Sequence, residues 1–140
     1  QATVNYEKDD LRVALRSLTD GRGVDVVYDP VGGKYAEPAL RSTAWRGRYL
    51  VIGFAAGDIP KFPLNQVLLM ERRILGVYWG ESTRRDPKGS RANLMELAGW
   101  LVEGRLRPHI SATYPLARAV DALQDLIARK VQGKIVLVTG

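Results

Sequence analysis

The sequence contains no cysteine and a single histidine, His109. That excludes a disulfide scaffold, thiol catalysis and thiolate metal sites, and it leaves too few ligands for a histidine-built metal cluster. No apolar run approaches the roughly 18 to 20 residues a membrane span needs. Long disorder is excluded too, because short apolar blocks recur along all 140 residues. Repeats and low-complexity linkers are missing, and so is any G-x-G-x-x-G: Gly21-Arg22-Gly23 and the stretch from Gly76 to Gly80 both fail the spacing. There is no initiator methionine and no signal or transit sequence; Gln1 leads directly into Ala2-Thr3-Val4-Asn5-Tyr6. The expectation is a piece of a longer, cytoplasmic protein.

What is present has the balance of a globular chain, with 46% hydrophobic and 26% charged residues in a length suited to one ordinary domain. Lys and Arg number 21 against 15 Asp and Glu, a net charge of +6. The basic residues are dispersed, with pairs such as Arg72-Arg73 and Arg84-Arg85, and read as a solvated basic surface. Steering of a phosphorylated cofactor comes second, and dedicated nucleic-acid binding last.

Strand and helix patterns alternate. Residues 3–6 read as a short strand, and Asp9-Asp10 place negative charge at a helix start, where the macrodipole favours it. Leu11, Ala14, Leu15 and Leu18 follow at amphipathic helical spacing until Thr19-Asp20-Gly21-Arg22-Gly23 breaks the helix. Val24-Asp25-Val26-Val27-Tyr28 is a strand apolar enough to be covered on both faces. Asp29-Pro30-Val31-Gly32-Gly33 is a turn. Residues 35–45 read as a helix with Pro38 in its first turn and Gly47 as its stop. Residues 48–53 form a third strand, followed by the loop Phe54-Ala55-Ala56-Gly57. A short helix over 65–71 precedes a fourth strand over 74–79 that ends at Gly80. Residues 93–103 read as a helix and 110–114 as a strand. Pro115 opens a last helix with Leu116, Val120, Leu123, Leu126 and Ile127 on one face, and 135–138 is the closing strand.

This alternation argues for an α/β fold with a parallel sheet, in which ligands sit outside the carboxyl ends of the strands. Three such ends carry small residues: Pro30-Val31-Gly32-Gly33, Gly53-Phe54-Ala55-Ala56 and Trp79-Gly80. One reading makes these glycines plain turn residues; three at successive strand ends favour a site where a ligand approaches the backbone closely.

The order of Val4-Asn5-Tyr6, Gly23-Val24-Asp25-Val26-Val27-Tyr28-Asp29-Pro30-Val31-Gly32-Gly33, Gly47-Arg48-Tyr49-Leu50-Val51-Ile52-Gly53-Phe54-Ala55-Ala56-Gly57, Ile74-Leu75-Gly76-Val77-Tyr78-Trp79-Gly80, Arg107-Pro108-His109 with Tyr114-Pro115-Leu116, and Gly133-Lys134-Ile135-Val136-Leu137 resembles the medium-chain dehydrogenase/reductase superfamily. The branch it resembles is the zinc-independent quinone oxidoreductases of the zeta-crystallin type. The resemblance covers essentially the whole chain. It implies the C-terminal half of a Rossmann-type doubly wound sheet over 1–80, and over 81–140 a segment that normally packs on the GroES-like domain. That domain and the glycine-rich loop would lie upstream. Strand 3–6 would then lack its partner and strand 24–28 would expose an apolar edge, which invites pairing with another chain.

Function follows from the resemblance only. It implies an NADPH-dependent reductase that delivers hydride to a quinone or activated enone without a metal, and a homodimer formed through strand 74–79. A related enoyl or alcohol reductase is equally compatible, and a non-catalytic RNA-binding or crystallin-type structural module is the alternative of a different class. Tyr6 matches a tyrosine beside the adenosine ribose phosphate. Pro30 and Val31 match the loop near the cofactor ribose and nicotinamide, and Ile52, Gly53, Phe54 and Ala55 match the loop passing along the nicotinamide. Val77, Tyr78, Trp79 and Gly80 match the segment whose backbone holds the carboxamide. Arg129 matches a basic position reaching a cofactor phosphate, with Lys134 nearby. No residue takes a catalytic role: His109 reads as packing or surface, and Asp29 as structural. The chain alone is expected to turn over little or nothing, because a diphosphate cradle at the first helix is absent.

Overall fold

The computed structural model describes every residue, Gln1–Gly140, and divides into two compact units, Gln1–Ser82 and Thr83–Gly140. In the first unit, Asp10 caps α1 (Leu11–Ser17) by accepting the Val13 N–H at 2.9 Å, an interaction worth about 1 kcal/mol. β1 (Val24–Asp29) is followed by a 3₁₀ turn and α2 (Ala36–Arg41), then by β2 (Thr43–Val51). α3 (Asn65–Leu68) leads to β3 (Arg73–Gly76), and the boundary between units falls within α4 (Trp79–Arg85).

The three strands form one parallel sheet in the order β1-β2-β3. Val27, Tyr49 and Ile74 are aligned by its register and face α2. Leu40 and Tyr49 are buried with Ala36, and Phe62 meets the Tyr49 ring edge-on at 5.1 Å. Burying each large side chain is worth about 2 kcal/mol. The opposite sheet face carries Val26, Tyr28 and Leu75, all exposed.

In the second unit, Asp86 caps α5 (Pro87–Val102) by accepting the Gly89 N–H at 2.9 Å. β4 (Ile110–Pro115) and β5 (Lys134–Val138) pair in parallel, linked through a 3₁₀ turn and α6 (Ala119–Ile127). Tyr114 donates its hydroxyl hydrogen to Asp125 at 2.6 Å and so ties β4 to α6.

The α/β class and the parallel strands agree with expectation, but several boundaries do not. Residues 3–6 are not a strand: no neighbour offers them a ladder, and Asn5 starts a turn, its carbonyl accepting from Lys8 and Asp9 and its side chain from the Glu7 N–H. The helix expected over 35–45 stops at Arg41. There the Ser42 hydroxyl bonds back to Pro38 and the Thr43 hydroxyl to Leu40, and the β-branched Thr43 already begins β2. The strand expected over 74–79 ends at Gly76, because β2 runs out at Val51, its register partner; Trp79 and Gly80 instead open α4. The helix expected to start at residue 93 starts at Pro87, which stands in the first turn behind its Asp86 cap.

Candidate cofactor site

Parallel pairing fixes where the three corners lie. Asp29, Val51 and Gly76 are register partners at the carboxyl ends of β1, β2 and β3, so the corners that follow are neighbours along one edge. Backbone hydrogen bonds stitch them together. Ile52 N–H donates to the Asp29 carbonyl at 3.0 Å, Ala55 N–H to Pro30 at 3.1 Å, Ala56 N–H to Val31 at 2.9 Å, and Val77 N–H to Val51 at 2.9 Å. Gly32 has φ +67, and a Cβ there would come within 3.0 Å of the Phe54 ring, so only glycine lets the first corner press against the second.

Asp29 organises the first corner. Its Oδ1 accepts the N–H groups of Val31 at 2.8 Å and Gly32 at 2.9 Å, and its Oδ2 accepts the Tyr49 hydroxyl. The Asx turn is legible in Asp-Pro-x-Gly. The Tyr49 partner is twenty residues away and was not singled out from sequence, since only the sheet register brings it there.

Burial, then the hydrogen bond to Asp29, pushes the Tyr49 phenol far above its ordinary value near 10. The folded unit therefore keeps this proton where the unfolded chain loses it. Its contribution is complete below about pH 10 and falls as pH rises beyond that value. Alkaline urea titrations are expected to show this loss, and Tyr49→Phe to flatten it.

The edge leaves specific backbone groups unused. The N–H groups of Phe54 and Tyr78 and the carbonyls of Ile52 and Gly53 have no partner within the chain. Val31, Phe54 and Val77 are exposed beside them. Donors and acceptors spaced along the second and third corners suit a planar amide lying flat on the edge.

Of the residues singled out from sequence, Pro30, Val31, Ile52, Gly53, Phe54, Ala55 and Val77 come together here. Tyr78, Trp79 and Gly80 continue the third corner; the Tyr78 and Trp79 side chains are about three-quarters exposed, at 73% and 75%, so neither is core. Tyr6 packs against Tyr35 with the rings tilted by 55° and centroids 4.6 Å apart, and it lines a groove of about 330 Å³ together with Tyr28, Pro30 and Val31. Arg129 lies in the second unit, at φ +54 just beyond α6, and Lys134 begins β5.

A family model described as zinc-binding dehydrogenase matches residues 1–137. Over 137 residues the chain is 37% identical to quinone oxidoreductase-like protein 2 of Bos taurus, covering 98% of this chain and 39% of that protein. A quinone oxidoreductase structure from Pseudomonas syringae superimposes with a TM-score of 0.82 at 28% identity, over 97% of this chain and 42% of that one. A mycobacterial structure solved in complex with NADPH gives a TM-score of 0.81 at 29% identity, over 96% of this chain and 42% of that one. The chain thus spans about two-fifths of the length of the relatives it matches. Zinc, which the family description names, does not fit the residues present: with no cysteine and one histidine, no three His, Asp or Glu side chains converge.

Proposed function

Because this chain belongs to the zinc-binding dehydrogenase family, within the medium-chain dehydrogenase/reductases and alongside the quinone oxidoreductases, we propose that it forms the nicotinamide side of an NADPH site in a cytoplasmic reductase acting on a quinone or activated enone. The observation that carries this reading is the edge where three strand ends meet with unpaired backbone donors and acceptors. NADPH, when bound, supplies the hydride.

The work of this chain is placement. The Phe54 and Tyr78 N–H groups and the Ile52 and Gly53 carbonyls orient the carboxamide. Pro30 and Val31 back the ribose. Phe54, 39% exposed, shields one side of the ring from water and faces the acceptor. Tyr6 hydrogen-bonds the 2′-phosphate. No side chain of this chain takes a proton-transfer role in this reading, and the chain alone is expected to turn over little or nothing.

The test is a chimera in which these 140 residues replace the equivalent part of the Pseudomonas syringae enzyme. Quinone-dependent NADPH oxidation is expected; a folded chimera that neither binds NADPH nor oxidises it contradicts the reading. β3 is an edge strand of only four residues, and it is where two copies pair in this reading. Light scattering of the chimera is expected to give a dimer, and Gly76→Pro a monomer: the Val77 N–H turns toward Val51, so the alternating Gly76 N–H faces the free edge, where proline removes a donor.

A further inference from the structure

At the other edge of the three-stranded sheet, where the strands begin, five arginines surround one pocket. Arg12 and Arg16 come from α1, Arg22 from the turn before β1, Arg41 from the end of α2, and Arg72 from the residue before β3. The pocket holds about 270 Å³, and no carboxylate lines it. At a strand rise of about 3.3 Å, the six residues of β1 separate it from the cofactor corners by about 20 Å.

Arg72 forms the floor and is 7% exposed. Its guanidinium donates to the carbonyls of Thr43 at 2.6 and 3.1 Å, Gln66 at 3.1 Å and Arg41 at 3.2 Å. Every one of these partners is neutral. Burial, then repulsion from Arg41 and Arg12, lowers its pKa. Arg22 pairs with Asp25 and Arg41 with Glu37, both outside the pocket lining. Arg12 and Arg16 have no carboxylate partner. Five guanidinium charges therefore meet two carboxylates, and the excess converges on one concavity beside a buried cation.

Uncompensated charge gathered in this way is costly, and a bound anion relieves it. Guanidinium forks match the oxygens of phosphate, and several forks approaching from different elements suit a dianion or a more highly charged group. We propose that this pocket binds a small phosphate-bearing molecule, a phosphomonoester or a diphosphate, separately from the cofactor edge.

Calorimetry of the full chain with inorganic pyrophosphate, at ionic strength held constant with chloride, tests this. One-site saturable binding is expected. It should weaken by roughly tenfold or more in an Arg12→Gln, Arg16→Gln double variant, since each arginine contributes a charge-assisted bond. Both side chains are exposed on α1, so the variant should keep the parent's melting curve. Arg105→Gln, an exposed arginine of the second unit, should leave binding unchanged. Parallel titrations with inorganic phosphate and ADP separate a free phosphate ligand from a nucleotide one; tighter binding of either supports the site when the Arg12→Gln, Arg16→Gln variant weakens it, and binding that this variant leaves unchanged counts against it. No saturable binding of any of the three overturns the proposal. So does equal weakening by Arg105→Gln, or binding of an RNA oligonucleotide that pyrophosphate fails to displace.

Discussion

Replacing Gly23 by alanine is expected to destabilise the first unit by about 3 kcal/mol, combining left-handed backbone strain with overpacking. Gly23 has φ +89, and a Cβ there would lie 2.6 Å from the Ser42 carbonyl oxygen and 2.9 Å from the Ala44 N–H nitrogen. Those are backbone atoms at the start of β2 and cannot rotate away. The same stretch is tied by the Val24 N–H to the Ser42 carbonyl at 2.9 Å and the Gly23 N–H to the Thr19 hydroxyl at 3.0 Å. Relieving the clash therefore pulls β1 from β2. A melting temperature lower by on the order of 10 °C is the expected reading for a unit of this size. Gly57→Ala is the internal comparison: φ is +91, but nothing lies within 4 Å, so only about 1 kcal/mol of strain should appear. Equal effects at the two positions would mean that close strand approach at Gly23 is not what requires glycine.

Asp29→Ala is expected to cost about 2–4 kcal/mol, because it strands a buried hydroxyl and frees two N–H groups of the first corner. Tyr49 is 1% exposed, so its hydroxyl has no water to replace the carboxylate. The Val31 and Gly32 N–H groups lose their acceptor at the same time. Tyr49→Phe removes only the hydroxyl and leaves the half-buried carboxylate to water, so about 1 kcal/mol is expected. Urea denaturation of the three proteins orders them directly. If Tyr49→Phe proved as damaging as Asp29→Ala, the loss would belong to the Tyr49 hydroxyl, and the corner would not depend on Asp29.

These two positions also mark what the sequence made legible. The apolar run at β1, the Asp-Pro-x-Gly turn after it and the small-residue corner after β2 are local patterns, and each stands where its composition places it. Strand ends are not local. β3 stops at Gly76 because its neighbour ends at Val51, and residues 3–6 stay out of the sheet because nothing there pairs with them. The Tyr49–Asp29 contact and the arginine pocket have the same origin. Arg12, Arg16, Arg22, Arg41 and Arg72 look dispersed along the chain, and only parallel strand order gathers their elements at one edge. Reading all the arginines as solvated surface fails at Arg72, which is buried with its donors on three backbone carbonyls, Arg41 at the end of α2, Gln66 in the first turn of α3 and Thr43 at the start of β2.

The most direct measurement is a crystal structure of the chimera with NADPH bound. The nicotinamide ring should lie along residues 30–31, 52–55 and 77–80, with its carboxamide on the backbone of Gly53 and Tyr78. A ring seated on any other surface, with those three corners facing only solvent, would contradict the placement on which the reductase reading depends.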